Sequence, residues 1–312
     1  MRGRVPQGHP AGRHQPAQPG LHEGQAVTSP ATVVVAYDGS EDSGNAVRWA
    51  AQEAGRRSAP LRVVSVIPPV TFVALPYPDS LNEGVPQEAE KLAQEGAAAA
   101  REYGATDVSA AGFMGEPAAI LVDQSGSAGL LVTGSRGHRP LASALIGSVA
   151  YAVSAHAACP VVVVRGDLGP DAGEGPVVVG YDGSEIATRA VDFAADQAAR
   201  AGRELRIVTV WFDTTEAAAA LTTVTDLRTQ LTADAAHVAR LAGQRALQRH
   251  PQLVVSEVAC EGLAAREMLA QAHDASLLVT GTRGHGGFAG LLLGSVSHAV
   301  LGGARCPIAV VR

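Results

Sequence analysis

Lysine is nearly missing from this sequence. Of the 24 basic residues only Lys91 is a lysine. That removes the Walker A loop, which needs a Lys beside the phosphates, and any Schiff-base mechanism, which needs a Lys nucleophile. Aromatic residues make up 4% of the chain, too few for a base-stacking platform or a paratope-like surface. Cys159, Cys260 and Cys306 are the only cysteines, far apart and without a CxxC. This is a reducing-compartment pattern, neither a disulfide framework nor a zinc site, and the expected role is that of small buried hydrophobes. A surplus of positive charge is also lacking. Lys+Arg 24 against Asp+Glu 30 gives a net charge of −6 with no basic stripe, so nucleic acid is not expected as a partner. No apolar run approaches the roughly 18 residues of a membrane span. The first 30 residues, rich in Pro, Gly, Gln and His, have no apolar signal-peptide core. A cytoplasmic protein with a disordered extension over 1–30 and no membrane partner is expected.

What is present is a duplication. With 312 residues, 46% of them hydrophobic, the chain has the length of two domains and enough apolar side chains for two cores. The stretch Val34 to Glu41 (VVAYDGSE) returns as Val178 to Glu185 (VVGYDGSE), 144 residues later. Leu131-Val132-Thr133-Gly134 and the Cys159-Pro160 segment ending at Arg165 return 147 residues later, as Leu278-Val279-Thr280-Gly281 and Cys306-Pro307 ending at Arg312. The offset changes in a Pro-rich loop after Ile67. Two domains are therefore expected, 31–165 and 176–312, joined by a turn-rich linker at 166–175.

Within the first copy, short apolar strands alternate with Ala-rich helical stretches. Strands are expected at 32–37, 61–67, 107–113, 129–133 and 161–165, with helices at about 43–57, 87–103, 117–125 and 145–156. Strands apolar on both faces, alternating with helices, predict an α/β fold: two tandem doubly wound domains, each a parallel sheet with helices on both faces.

The chemistry concentrates after the fourth strand of each copy. Gly134-Ser135-Arg136-Gly137, nine residues, then Gly147-Ser148 recurs as Gly281-Thr282-Arg283-Gly284, nine residues, then Gly294-Ser295. Glycines leaving a strand let backbone approach a ligand and take positive φ. Ser148 and Ser295 would open the next helix, whose free amides and dipole attract anions. Arg136 and Arg283 add mobile positive charge. In a doubly wound sheet ligands lie beyond the strand carboxyl ends. There Asp38 and Asp182 would face the glycine loop, or would simply cap the following helix. His138 and His285 are expected at the solvent-exposed edge of the loop.

The Val-x-Val-Ala-Tyr-Asp-Gly-Ser opening, the G-x2-G-x9-G-S loop and the Cys-Pro-Val-Val-Val-Val close resemble the universal stress protein family, over about 31–165 and 176–312. The resemblance implies a five-stranded parallel sheet of order 3-2-1-4-5 in each domain and ATP at the fourth-strand loop. Carried over residue by residue, Ala36, Tyr37, Asp38 and Val66 would hold adenine and ribose. Gly134, Gly137, Gly147, Ser148 and Val149 would hold phosphate. The second copy supplies Gly180, Tyr181, Asp182, Val210, Gly281, Gly284, Gly294, Ser295 and Val296. Gly129 and Ser276 depart from the acidic residue usual in the family, which is expected to alter packing more than the site.

Other chemistries fit poorly. Gly284 to Ala289 matches G-x-G-x-x-G/A, but follows the fourth strand and lacks the acid near 20 residues on. Ser125-Gly126-Ser127-Ala128-Gly129 fails the first position of G-x-S-x-G, and no His/Asp/Glu set is spaced for a metal hydrolase. The serious alternative is a slow ATPase or nucleotidyl-transferring enzyme on the same sites. Beyond Asp38 and Asp182 no acid is placed for it, so a nucleotide-binding regulator read by a partner protein is expected. No Walker-B-like acid is identifiable, which leaves Mg²⁺ to arrive with the nucleotide. With order 3-2-1-4-5, Val161 to Val164 would be a bare apolar edge. Its counterpart Pro307 to Val311 is the expected partner within the chain, and association of two chains into a homodimer is implied by the resemblance.

Overall fold

In the computed structural model the described residues are 31–69, 82–137, 146–165, 174–211, 224–284 and 292–312. The extension 1–30, most of the linker, and His138 and His285 lie outside them. The first half runs β1 (Val33–Ala36), α1 (Glu41–Arg57), β2 (Leu61–Ile67), α2 (Val85–Glu102), β3 (Val108–Met114), α3 (Pro117–Ser125), β4 (Leu130–Gly134), α4 (Ser148–His156) and β5 (Val161–Val164). The second repeats it as β6 (Val177–Gly180), α5 (Glu185–Ala201), β7 (Leu205–Trp211), α6 (Val224–Arg249), β8 (Val255–Glu261), α7 (Ala264–Gln271), β9 (Leu277–Gly281), α8 (Ser295–Gly303) and β10 (Ile308–Val311).

The ten strands of the described residues join one sheet, ordered β3-β2-β1-β4-β5-β10-β9-β6-β7-β8. Each half thus has the order 3-2-1-4-5, parallel throughout. The valine edges meet as expected: β5 and β10 pair antiparallel, Ile308 opposite Val163, Ala309 opposite Val162 and Val310 opposite Val161. Since Val161 corresponds to Ile308, the pairing is symmetric about Val162 and Ala309, where a local two-fold axis passes. Tyr151 and its counterpart His298 meet edge to face across the same seam, ring centroids 5.4 Å apart.

Alternation along the strands fills two cores. Val33 and Val35 face the α1 and α2 layer, where Ala46, Val47, Ala50 and Ala54 of α1 pack against them. Val34 faces α3 and α4 with Leu121, Leu131 and Val153. The outermost strands differ from the expectation of burial on both faces. β3 and β8 are only partly buried, and β8 carries Ser256, Glu257 and Glu261, polar side chains that discourage edge pairing. Gly129 stands where a Cβ would lie 2.5 Å from the Ala31 Cβ, so packing there has no room for an acid. α4 starts at Ser148 and α1 at Glu41.

Candidate functional site

Each site lies where the chain leaves adjacent strands in opposite directions, at the carboxyl ends of β1 and β4, or of β6 and β9. After β1 the chain turns through Gly39 at φ 83°, and Asp38 stabilises that turn. Its Oδ1 accepts from the Ser40 amide at 3.0 Å and the Ser40 hydroxyl at 2.6 Å. Ser40, not Asp38, caps α1, its hydroxyl accepting from the Ser43 amide. The second half repeats this with Gly183 at φ 85°, Asp182 Oδ1 accepting from the Ser184 amide at 3.0 Å, and Ser184 capping α5. Helix capping by the aspartates is therefore excluded. Both face the glycine loop, for a Cβ on Gly137 would stand 2.5 Å from Asp38 Oδ2, and one on Gly284 would collide with Asp182 Oδ2.

The loop glycines do not take the positive φ that the sequence leads us to expect. Around the two pockets that conformation falls on the turn glycines Gly39 and Gly183 and not on Gly134, Gly137, Gly147 or their counterparts. Close approach explains them instead. A Cβ on Gly134 would lie 2.7 Å from the Asp42 carbonyl carbon and 2.9 Å from the Ser43 nitrogen, both backbone of α1. On Gly281 it would meet the Ile186 side chain at 2.7 Å.

The helices beyond the loops are open where α1 and α5 are closed. α4 begins after Gly147 (φ −71°, ψ 152°) and α8 after Gly294 (φ −72°, ψ 163°), and neither has a side-chain cap. A hydrogen bond from the Gly147 amide to the Ser135 carbonyl (2.8 Å), and from Gly294 to Thr282 (2.7 Å), fixes each loop against its helix start. First-turn amides without an intrahelical acceptor, beside exposed Ser148 and Ser295, form an anion-receptive end.

These parts enclose one pocket per half, of about 580 Å³ in the first and about 510 Å³ in the second. All ten positions expected in each half line it, including Arg136 and Arg283. Tyr37 does so from its margin, since its ring packs against Gly96 and its main chain is tied to Val64 and Ser65. Burial, then the charges of Glu95 and Asp38, pushes its hydroxyl pKa up. Sequence reasoning missed the apolar wall: Val64, Ile67, Pro68, Leu92, Pro117 and Leu121 in the first pocket, Val208, Ala264 and Met268 in the second. Their signal was the repeat itself, because Leu121 and Met268 are counterparts.

Loop anchoring differs between halves. Ser135 donates to Asp42 Oδ2 at 2.6 Å, and Arg136 Nε lies 3.7 Å from the same oxygen. Ile186 replaces Asp42 in the second half. There Ser297 of α8, the counterpart of Ala150, donates to the Gly281 and Thr282 carbonyls at 2.9 and 3.1 Å. Two cysteines are inert packing, burial pushing the thiols of Cys159 and Cys306 up to about 11. Among the described residues no three His, Cys, Asp or Glu gather to hold a metal, and no helix is long and apolar enough to cross a membrane.

Fold and pockets define a tandem doubly wound α/β protein with an anion-receptive crevice at each switch point. The universal stress protein family profile matches residues 31–165 and 175–312, and the chain belongs to that family. A universal stress protein of Mycobacterium tuberculosis is 37% identical over 293 residues, covering 90% of this chain and 96% of its own. One of Mycolicibacterium smegmatis is 34% identical over 288 residues, with the same coverage. The crystal structure of a universal stress protein from Archaeoglobus fulgidus shares the fold, with a TM-score of 0.66 at 23% identity over 90% of this chain and 96% of that one.

Proposed function

We propose that domains 31–165 and 176–312 each bind ATP in the pocket just described, with Mg²⁺ entering on the nucleotide. The chain then acts as a stress-response regulator whose nucleotide state a partner protein reads. The carrying observation is the contrast in capping: α1 and α5 are closed by Ser40 and Ser184, while α4 and α8 present bare first-turn amides to a pocket in both halves. Such an end holds phosphate without lysine. A volume of 510–580 Å³ is within the range of nucleotide-sized ligands. The apolar wall suits a purine, and Ser148, Val149, Ser295 and Val296 would meet the phosphates.

Little or no turnover is expected. Asp38 and Asp182 face the loop with their Oδ1 atoms committed to turn hydrogen bonds, and Asp42 is held by Ser135 and Arg136, which makes all three poor bases for activating water.

The test uses proline at the first helical residue. Gly147 and Gly294 already have the extended ψ that a following proline requires, and proline is tolerated there. Ser148→Pro and Ser295→Pro each remove one amide and one hydroxyl without breaking a helix. The parent protein should bind two ATP per chain, measured by calorimetry and by nucleotide released on denaturation. The double variant should bind ATP at least about tenfold more weakly at unchanged Tm. A parent that takes up no ATP, or a double variant that binds like the parent, would overturn the reading. Release of ADP or AMP in place of ATP would favour the slow ATPase.

A further inference from the structure

The two pockets share a backbone but not a charge balance. In the first, the Asp42 carboxylate stands beside the phosphate loop, fixed by the buried Ser135 hydroxyl and only 18% exposed. It pairs with Arg136 of that loop. In the second, Ile186 fills the position. The hydroxyl of Thr282, counterpart of Ser135, is buried without a hydrogen-bond partner, and Arg283 has no carboxylate partner among the described residues. Arg165 and Arg312 do not distinguish the halves: they are counterparts, each reaching across the seam to carbonyls at the end of the other half's last helix, Arg165 to Gly302 and Arg312 to Ala155.

Resting on the ATP reading above, we propose that the two sites are unequal toward polyanions and that Asp42 makes them so. The second site fills first, and its advantage grows with the number of phosphates on the nucleotide. The half-exposed Arg136 can leave its ion pair at little cost. The carboxylate stays, because Ser135 holds it, and it opposes each negative charge brought to the loop. The second half meets the same ligand with Arg283 outside any ion pair among the described residues and with Ile186 where the first half has the Asp42 carboxylate. The loop is secured there by Ser297, whose hydroxyl carries no charge. Asp42 is a specificity residue acting through the field at the phosphates, with no need to touch the nucleotide.

The sites are assigned by weakening one at a time in a two-site fit, Ser295→Pro shifting only the second constant and Ser148→Pro only the first. Calorimetry at low salt compares ATP, AMP and adenosine. The second site should bind ATP about tenfold more tightly than the first, AMP about threefold, and adenosine equally. Asp42→Asn keeps an acceptor for Ser135 and removes only the charge. It should raise first-site ATP affinity about tenfold and leave adenosine unchanged. Ile186→Asp should lower second-site affinity by the same pattern, and 0.5 M salt should shrink all these differences. ATP bound by both sites with equal strength, or an Asp42→Asn effect equal for ATP and adenosine, overturns the inequality while leaving ATP binding intact. No ATP uptake by the parent overturns both together.

Discussion

The two halves answer the same packing problems with exchanged pairs of residues. Ala36 on β1 and Leu121 on α3 share one core and line the same pocket. At the matching place in the second half Gly180 faces Met268, and a Cβ on Gly180 would lie 2.6 Å from the methionine sulfur. Asp42 with Ser135 became Ile186 with Thr282, and the hydrogen bonds that hold the loop moved from α1 to α8 through Ser297. What did not change is the backbone: the Asp-Gly-Ser turn, the serine caps and the open glycine starts of α4 and α8. Backbone solutions are kept because many contacts depend on them at once. A side chain can be traded whenever one neighbour compensates.

The sharpest way to break this comparison is at the first loop glycine. Gly134→Ala drives its methyl into the main chain of α1, which cannot yield locally. Gly281→Ala meets mainly the Ile186 side chain, which can turn aside. The first substitution should cost about 3 kcal/mol and the second about 1 kcal/mol, read as the loss of Tm in separate variants. Equal losses would mean that the loops abut their helices identically after all. Gly134 is therefore a poor position for testing ligand binding alone.

A smaller effect tests the exchanged pair on β6. Gly180→Ala should destabilise by about 1–2 kcal/mol because the new methyl strikes Met268. Adding Met268→Leu recreates the Ala–Leu pair of the first half and should recover most of that loss, a coupling of about 1 kcal/mol in a double-mutant cycle. Additive effects would show that the two positions are independent.

Much of this was legible in the sequence, and the boundary of legibility has a physical cause. Repeat offsets aligned the halves, and the alternation of apolar strands with Ala-rich helices gave the layers. The bare edge at Val161 to Val164 foretold the pairing with β10. Each of these is a pattern along the chain. The purpose of Gly134 was not legible, since the α1 backbone it must clear comes from residues some 90 positions earlier. Reading it as a positive-φ glycine used a local rule where a tertiary contact decides. The Asp42 and Ile186 contrast was visible by subtracting 144, but became chemistry only once Ser135 and Arg136 were found at the same carboxylate.

The smallest expected effect lies away from the pockets, at the seam between the first and second helices of each half. In the second half Arg245 pairs with Asp192, and Arg249 and His250 both reach Asp196. The matching residues of the first half, Arg48, Gln52, Ala98, Glu102 and Tyr103, cannot reproduce that network. Burial raises the pKa of Asp196, but hydrogen bonds from Arg249 and His250 and the charges of Arg249 and Arg200 outweigh it, holding the carboxyl below its usual range. A carboxylate depressed on folding stabilises the native state above its unfolded pKa of about 3.9. That contribution is lost as pH falls through the folded value. Because Arg249 is half exposed, the gain is only about 1 kcal/mol. Asp196→Asn should therefore lower Tm slightly at pH 7, and the gap to the parent should close once pH drops below the folded pKa of Asp196. A gap that persists in acid would mean that Asp196 stabilises the seam by packing and not by charge, and the ionic contrast between the two halves would disappear with it.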